Sequence, residues 1–198
     1  MTVQTSPGEL LVGAYHQLIT GCELVSYNQR SREQGNQMEL DVLAIHSSGG
    51  TQTVYACEVV THVRGMLYVG SPDTDRWADF GNENYQYTLE RIWEKFQVDF
   101  AYVSEVFPDA DRFVFQLWSP NVPEGHRTDG LEELRPELRR SFQSRVEQDC
   151  AVEPIYNEAY AERIGVLRSR AREDSKAYGN TAWRYLQILE HMRTSMES

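Results

Sequence analysis

The stretch that decides the fold runs from Gln37 to His62. It reads Gln37-Met38-Glu39-Leu40-Asp41-Val42-Leu43-Ala44-Ile45, then His46-Ser47-Ser48-Gly49-Gly50-Thr51, then Gln52-Thr53-Val54-Tyr55-Ala56 and Cys57-Glu58-Val59-Val60-Thr61-His62. Two apolar runs of strand length, Met38 to Ile45 and Thr53 to Val60, flank a turn at Ser48-Gly49-Gly50, which predicts a β-hairpin. Each run carries one acid: Asp41 near the start of the first and Glu58 near the end of the second. A carboxylate inside an apolar strand is costly to bury unless something pairs with it. Two such acids brought together by one hairpin point to a metal site.

Upstream, Ser6, Pro7 and Glu9 form a capping-box start for a helix that runs to about Thr20 and ends at Gly21. Glu23 to Tyr27 reads as a short strand, and Asn28 to Asn36 as an exposed loop. Gln37 simply begins a strand, with a phosphate contact as the alternative. Downstream, Thr61 to Asn82 is irregular, either a strand continuation or a flap. From Glu83, the residues Tyr87, Leu89, Ile92, Trp93 and Phe96 recur at helical spacing. Val98 to Val103 either continues that helix or forms its own element, and Pro108 stops the run. Arg112 to Trp118 alternates and is aromatic, which predicts a central strand. Three helices follow at Leu131 to Val146, Pro154 to Lys176 and Thr181 to Met196, with Gln148 to Val152 as one more short strand. Tyr156, Tyr160, Ile164 and Leu167 give one buried stripe; Trp183, Leu186, Ile188, Leu189 and Met192 give a second. This order predicts an α/β sandwich around a central sheet.

The bulk numbers narrow the function classes. The chain has 198 residues, 40% hydrophobic and 25% charged, which fits a globular protein with a substantial core. Its net charge of −11 argues against a broad electropositive surface of the kind most nucleic-acid binders use. A local basic groove, or an acidic pocket neutralised by divalent cations, remains compatible with it. Only Lys95 and Lys176 are lysines, so few are available for catalysis. Cys22, Cys57 and Cys150 are widely spaced and read as reduced, buried thiols. With no apolar run of membrane-spanning length and no signal-peptide pattern, the expected location is the cytoplasm, with no membrane partner. His16, His46, His126 and His191 are scattered and form no zinc pattern with the cysteines. The basic run Arg168-Ser169-Arg170-Ala171-Arg172 lies among acids and reads as an ion-paired helix face.

The first third of the chain resembles the PD-(D/E)XK nuclease superfamily, and most closely its small Holliday-junction-resolvase-like endonucleases. Gly8-Glu9 matches the Gly-Glu pair of that family's first helix. Gly21, Leu24-Val25 and Asn28 match the following Gly, apolar strand and Asn. Glu39-Leu40-Asp41-Val42-Leu43-Ala44 matches its acidic-apolar-Asp strand, and Glu58-Val59-Val60-Thr61-His62 stands where the family has Glu-Val-Lys-Thr-Arg. The resemblance implies a restriction-endonuclease-like fold: a central mixed sheet flanked by helices, with a helical C-terminal extension. Residues 1–125 would be the endonuclease-like core and 126–198 a helical region packed on it.

The resemblance further implies Mg²⁺, or Mn²⁺, held by Glu9, Asp41 and Glu58. The cation would activate a water against a phosphodiester. The lysine position is Val60, which can neither carry charge nor donate a proton. Strand alternation puts His62 on the face of Glu58, so Asp41, Glu58 and His62 are the expected catalytic residues. Lys95 or Arg91, on the helix after the hairpin, is the alternative source of the missing cation. Against these stand plainer readings. Asp41 and Glu58 are solvated or paired with Arg30 or Arg64, Glu9 serves its helix dipole, His62 is an exposed post-strand residue, and Lys95 is a solvated helix residue. Two functions follow: a Mg²⁺-dependent phosphodiesterase acting on DNA, or a catalytically inactive nuclease-fold module for binding or assembly. A hydrolase of another small phosphorylated substrate is a more distant third. The C-terminal helices are the expected homodimer surface.

Overall fold

A computed structural model of the chain describes residues 4–30 and 39–197. It is an α/β fold with a five-stranded mixed sheet flanked by helices. The order is α1 (Pro7–Tyr15), β1 (Leu24–Arg30), β2 (Glu39–Ser48), β3 (Thr51–Val59), α2 (Glu83–Val106), β4 (Arg112–Ser119), α3 (His126–Gln143), β5 (Asp149–Tyr156), α4 (Asn157–Glu173) and α5 (Thr181–Glu197). The strands lie in chain order across the sheet. β1 to β3 form an antiparallel meander, whereas β3–β4 and β4–β5 pair parallel across helical crossovers.

Local chemistry sets the boundaries. Ser6 Oγ accepts from the Glu9 amide at 3.2 Å and the Glu9 carboxylate accepts from the Ser6 amide at 3.0 Å, the predicted capping box. After Tyr15 the helix widens to a π turn over His16–Thr20 and stops at Gly21, at φ 78°. Gly49 and Gly50 both take positive φ, 60° and 84°, which suits a two-residue hairpin turn between Ser48 and Thr51. Asn82 caps α2 by accepting from the Asn84 and Tyr85 amides. From there α2 runs unbroken through Val103, which resolves the open choice for Val98 to Val103.

The hairpin strands reach closer to the turn than expected, β2 to Ser48 and β3 from Thr51, and other boundaries differ too. β1 continues to Arg30, past the expected end at Tyr27, because its ladder to β2 extends to Arg30↔Glu39. Residues 31–38, which include Gln37 and most of the expected loop, lie outside the described residues. β5 reaches Tyr156, so α4 begins at Asn157 rather than Pro154. Pro154 is tolerated because β5 is an edge strand and needs no amide on its free side. Residues 60–82 contain a 3₁₀ turn at Asp75–Trp77 and no strand, so that segment does not continue β3.

Two cores sit on the two faces of the sheet. On one face α2 and α3 pack against Leu43, Val54, Ala56, Phe113, Phe115 and Leu117. Leu89, Ile92, Phe96, Phe100 and Val103 supply the apolar stripe of α2; Leu131, Leu134, Leu138 and Phe142 supply that of α3. On the other face Val12 of α1 packs with Val42, Cys57, Trp118 and Ile155, and Tyr160 of α4 joins them. α5 packs on α1 and α4 through Trp183 and Leu186, with Ala14, Leu167 and Ala171 beneath. All three cysteines are free and buried. No helix among the described residues is long and apolar enough to cross a membrane.

A buried polar chain crosses the α1 side of the sheet. His16 Nε2 donates to Gln116 Oε1 at 2.9 Å, Trp118 Nε1 donates to the same oxygen at 2.9 Å, and Gln116 Nε2 donates to Glu153 at 2.9 Å. The Cys57 and Cys22 thiols flank the imidazole, the Tyr55 ring lies against it, and Arg163 acts on it electrostatically. Burial holds the His16 pKa down to about 4, the Gln116 bond opposes this, and Arg163 adds to it. A histidine buried neutral stabilises fully above its unfolded value near 6.5, and that contribution falls away as pH drops toward 4. Urea unfolding of wild type and His16→Gln should therefore diverge across that window, wild type losing on the order of 3 kcal/mol more than the variant as pH falls. Parallel pH dependences of the two would show that His16 makes no such contribution.

Candidate functional site

The two acids of the hairpin meet where β2 and β3 part. Their ladder ends at Val42↔Cys57, one step short of an Asp41↔Glu58 pair, while β3 stays paired with β4 through Glu58↔Leu117 and Val59↔Trp118. The Val59 amide, released from β2, donates instead to Asp41 Oδ2 at 2.7 Å. The carboxylate thus takes over a ladder bond and is fixed at the fork. In antiparallel register Asp41 and Glu58 share a face of the sheet. Ala56 and Leu43 on that face pack against α2, so both acids point toward this helix.

α2 answers with a cation. Lys95 Nζ donates to Glu58 Oε2, and both side chains are largely buried. This corrects the expectation that Lys95 is a solvated helix residue. One turn later Asp99 faces the same cluster and is 2% exposed. Among the described residues, Glu58 Oε1 and Asp99 Oδ2 are buried without a hydrogen-bond partner. Three carboxylates therefore converge near one ammonium.

The electrostatics follow from that imbalance. Burial pushes the Asp99 carboxyl well above its usual range; Lys95 opposes this and Asp41 adds to it. Asp41 is also raised, chiefly by burial, with Lys95 and the Val59 amide pulling it back and Glu9 and Glu39 pushing it up. The Tyr68 hydroxyl, from the segment after β3, is raised by burial and then by Asp41 and Asp99.

The other candidates fall at different distances from this cluster. Glu9 acts on Asp41 electrostatically, but its carboxylate is engaged in the capping box. Gly8 lets α1 approach this end of β3, since a Cβ there would overlap Thr61. Val60 is buried in the α2 side of the core and its amide donates to Trp118 O at 2.9 Å. His62 is exposed beyond the end of β3, outside the cluster. Arg91 pairs with Glu94 at 2.9 Å, and Arg30 with Glu39 at 3.0 Å, so neither arginine neutralises Glu58. Sequence reasoning missed Asp99. Its signal was the four-residue spacing from Lys95, which puts both on one face of α2.

Among the described residues no group of three His, Cys, Asp or Glu side chains is arranged to hold a metal ion. What is present is a pair, Asp41 and Glu58, with an orphaned buried carboxylate oxygen on Glu58. Two carboxylates with water completing the shell is a donor set that suits Mg²⁺. Searches against protein-family models, curated proteins and solved structures found no match.

The buried cluster carries its own stability test. A carboxyl held protonated when folded stabilises at low pH, and that contribution is lost as pH rises above the unfolded value. Asp99→Asn keeps the shape and removes the ionisation. Thermal melts should show this variant more stable than wild type at pH 8, with the gap closing toward pH 4. Equal melting temperatures at both pH values would mean that Asp99 is not held protonated. Lys95→Met should cost about 3 kcal/mol by stranding Glu58. Adding Glu58→Gln to that variant should recover much of the loss, which denaturant titration would measure as a coupling energy.

Proposed function

We propose that this chain is a divergent PD-(D/E)XK-type phosphodiesterase that uses Mg²⁺ to act on DNA. The observation that carries this reading is the placement of Lys95. The resemblance lacks a cation at Val60, and α2 brings an ammonium to the same Glu58 from across the fork. In this reading the restriction-endonuclease-like identity of the sheet rests on the meander β1–β3 followed by the crossover to β4, with the acids at the point of divergence. Asp41 and Glu58 would hold the metal, and Glu9 would face Asp41 from the start of α1. Mg²⁺ bound there supplies Lewis acidity for phosphodiester hydrolysis.

The protein's own groups have separable tasks. The Val59 amide fixes the Asp41 carboxylate, so its position needs no reorganisation on binding. Lys95 keeps Glu58 ionised in a buried setting and would orient the attacking water and offset charge on the phosphate. Position 60 has no part in this scheme, because Val60 serves the core. A second reading, an inactive nuclease-fold module for binding or assembly, is favoured by one observation: the ammonium of Lys95 already occupies one oxygen of Glu58.

Calorimetry with Mg²⁺ and Mn²⁺, followed by a nicking assay on linear and branched DNA, separates the two. The phosphodiesterase reading expects sub-millimolar binding that Asp41→Ala abolishes. It expects Lys95→Met to lower kcat by about 10²-fold or more, and His62→Ala to change it little. Absence of metal binding in the folded wild-type protein would overturn it.

A further inference from the structure

α5 is apolar on two opposite sides. Ala182, Trp183 and Leu186 turn inward against α1 and α4. On the outer side Tyr185 is 64% exposed, Ile188 47%, Leu189 62%, Met192 58% and Met196 87%. This corrects the expectation of a single buried stripe: Trp183 and Leu186 belong to it, but Ile188, Leu189 and Met192 do not. A helix that is apolar on both sides belongs in an interior, and this one has only one side covered.

We infer that the outer face of α5 is the seam of a homodimer, formed by antiparallel packing of two α5 helices about a two-fold axis. The inference is independent of the phosphodiesterase reading.

Three features select a second copy as the occupant. The first is spacing. Tyr185, Leu189, Met192 and Met196 are separated by four, three and four residues, the spacing of a coiled-coil seam. That sequence of intervals is the same read in either direction. Antiparallel packing therefore sets Tyr185 opposite the partner's Met196 and Leu189 opposite the partner's Met192, as an isologous contact requires.

The second is charge. Glu190 is turned inward, where Arg168 and Arg172 bond its two oxygens and hold its pKa down to about 2. The outer face is thereby cleared of that acid. Arg184 is exposed at the N-terminal end of the stripe. Antiparallel packing keeps the two copies of Arg184 about 20 Å apart, whereas parallel packing would oppose them.

The third is area. Five side chains with roughly 100 Å² of free surface each give about 500 Å² per partner. The flanking Arg184, His191 and Ser195 extend this toward the roughly 800 Å² of a standard interface.

Sedimentation velocity on the full chain at tens of micromolar tests the proposal. The expected mass is twice the 22.9 kDa of one chain. The dimer should persist or tighten as salt rises, because each copy carries −11 and salt screens their repulsion. Leu189→Arg should weaken association by about tenfold or more with an unchanged far-UV circular dichroism spectrum. Val166→Arg, at an exposed apolar site on α4, should leave it intact. A monomeric wild type, or a Leu189→Arg variant that dimerises as tightly as wild type, would overturn the proposal. So would a monomer that pellets with vesicles of anionic phospholipid and is released by salt, which would make the face a lipid contact.

Discussion

Glu58 sits under a helix, 2% exposed, and a carboxylate cannot stay charged there without a cation. Lys95 supplies that cation, and much of the architecture serves to deliver it. Strand alternation turns Glu58 to the α2 face with Ala56, and β2 and β3 part beside it. The long unbroken α2 carries Lys95 across the sheet to meet it. The aromatic core beneath, with Phe100 stacked on Phe142 at 4.6 Å and Phe115 against both, fixes α2 against β4 and α3. Removing either member of the ion pair would strand the other, so the fold and the candidate site depend on one contact.

The sheet separates two kinds of buried polarity. On the α1 side His16, Gln116, Trp118 and Glu153 satisfy one another in a chain of hydrogen bonds. On the α2 side Glu58 and Asp99 each keep an oxygen without a partner among the described residues. The first arrangement is what a structural network looks like; the second leaves acceptors unspent. That asymmetry sets the α2 side apart: Glu58 and Asp99 are each 2% exposed, whereas the other chain of hydrogen bonds ends on the half-exposed Glu153.

The hairpin was legible in the sequence because period-two patterning and a Gly-Gly turn are local signals. The same holds for the capping box at Ser6–Glu9 and for the stripe of α2. Register alone put Asp41 and Glu58 on one face. Lys95 was harder to read. Its pairing with Glu58 spans 37 residues and depends on where α2 crosses the sheet, which no local pattern encodes. The resemblance marks Val60 as standing where that family has a lysine; its place in the core depends on α2 and could not be read locally. His62 was assigned to the face of Glu58 by extending strand alternation past Val59, where the strand ends. The outer stripe of α5 misled for a related reason: periodicity finds an apolar face but does not say whether anything covers it.

In the proposed function Asp41 and Glu58 form a cation site served by Lys95. Its most direct test is anomalous diffraction from a crystal soaked in Mn²⁺. The expected result is a manganese peak between the Asp41 and Glu58 carboxylates, with the Lys95 ammonium moved off Glu58 Oε2 and toward Asp99. A well-ordered fork with no anomalous peak and Lys95 still bonded to Glu58 would contradict it.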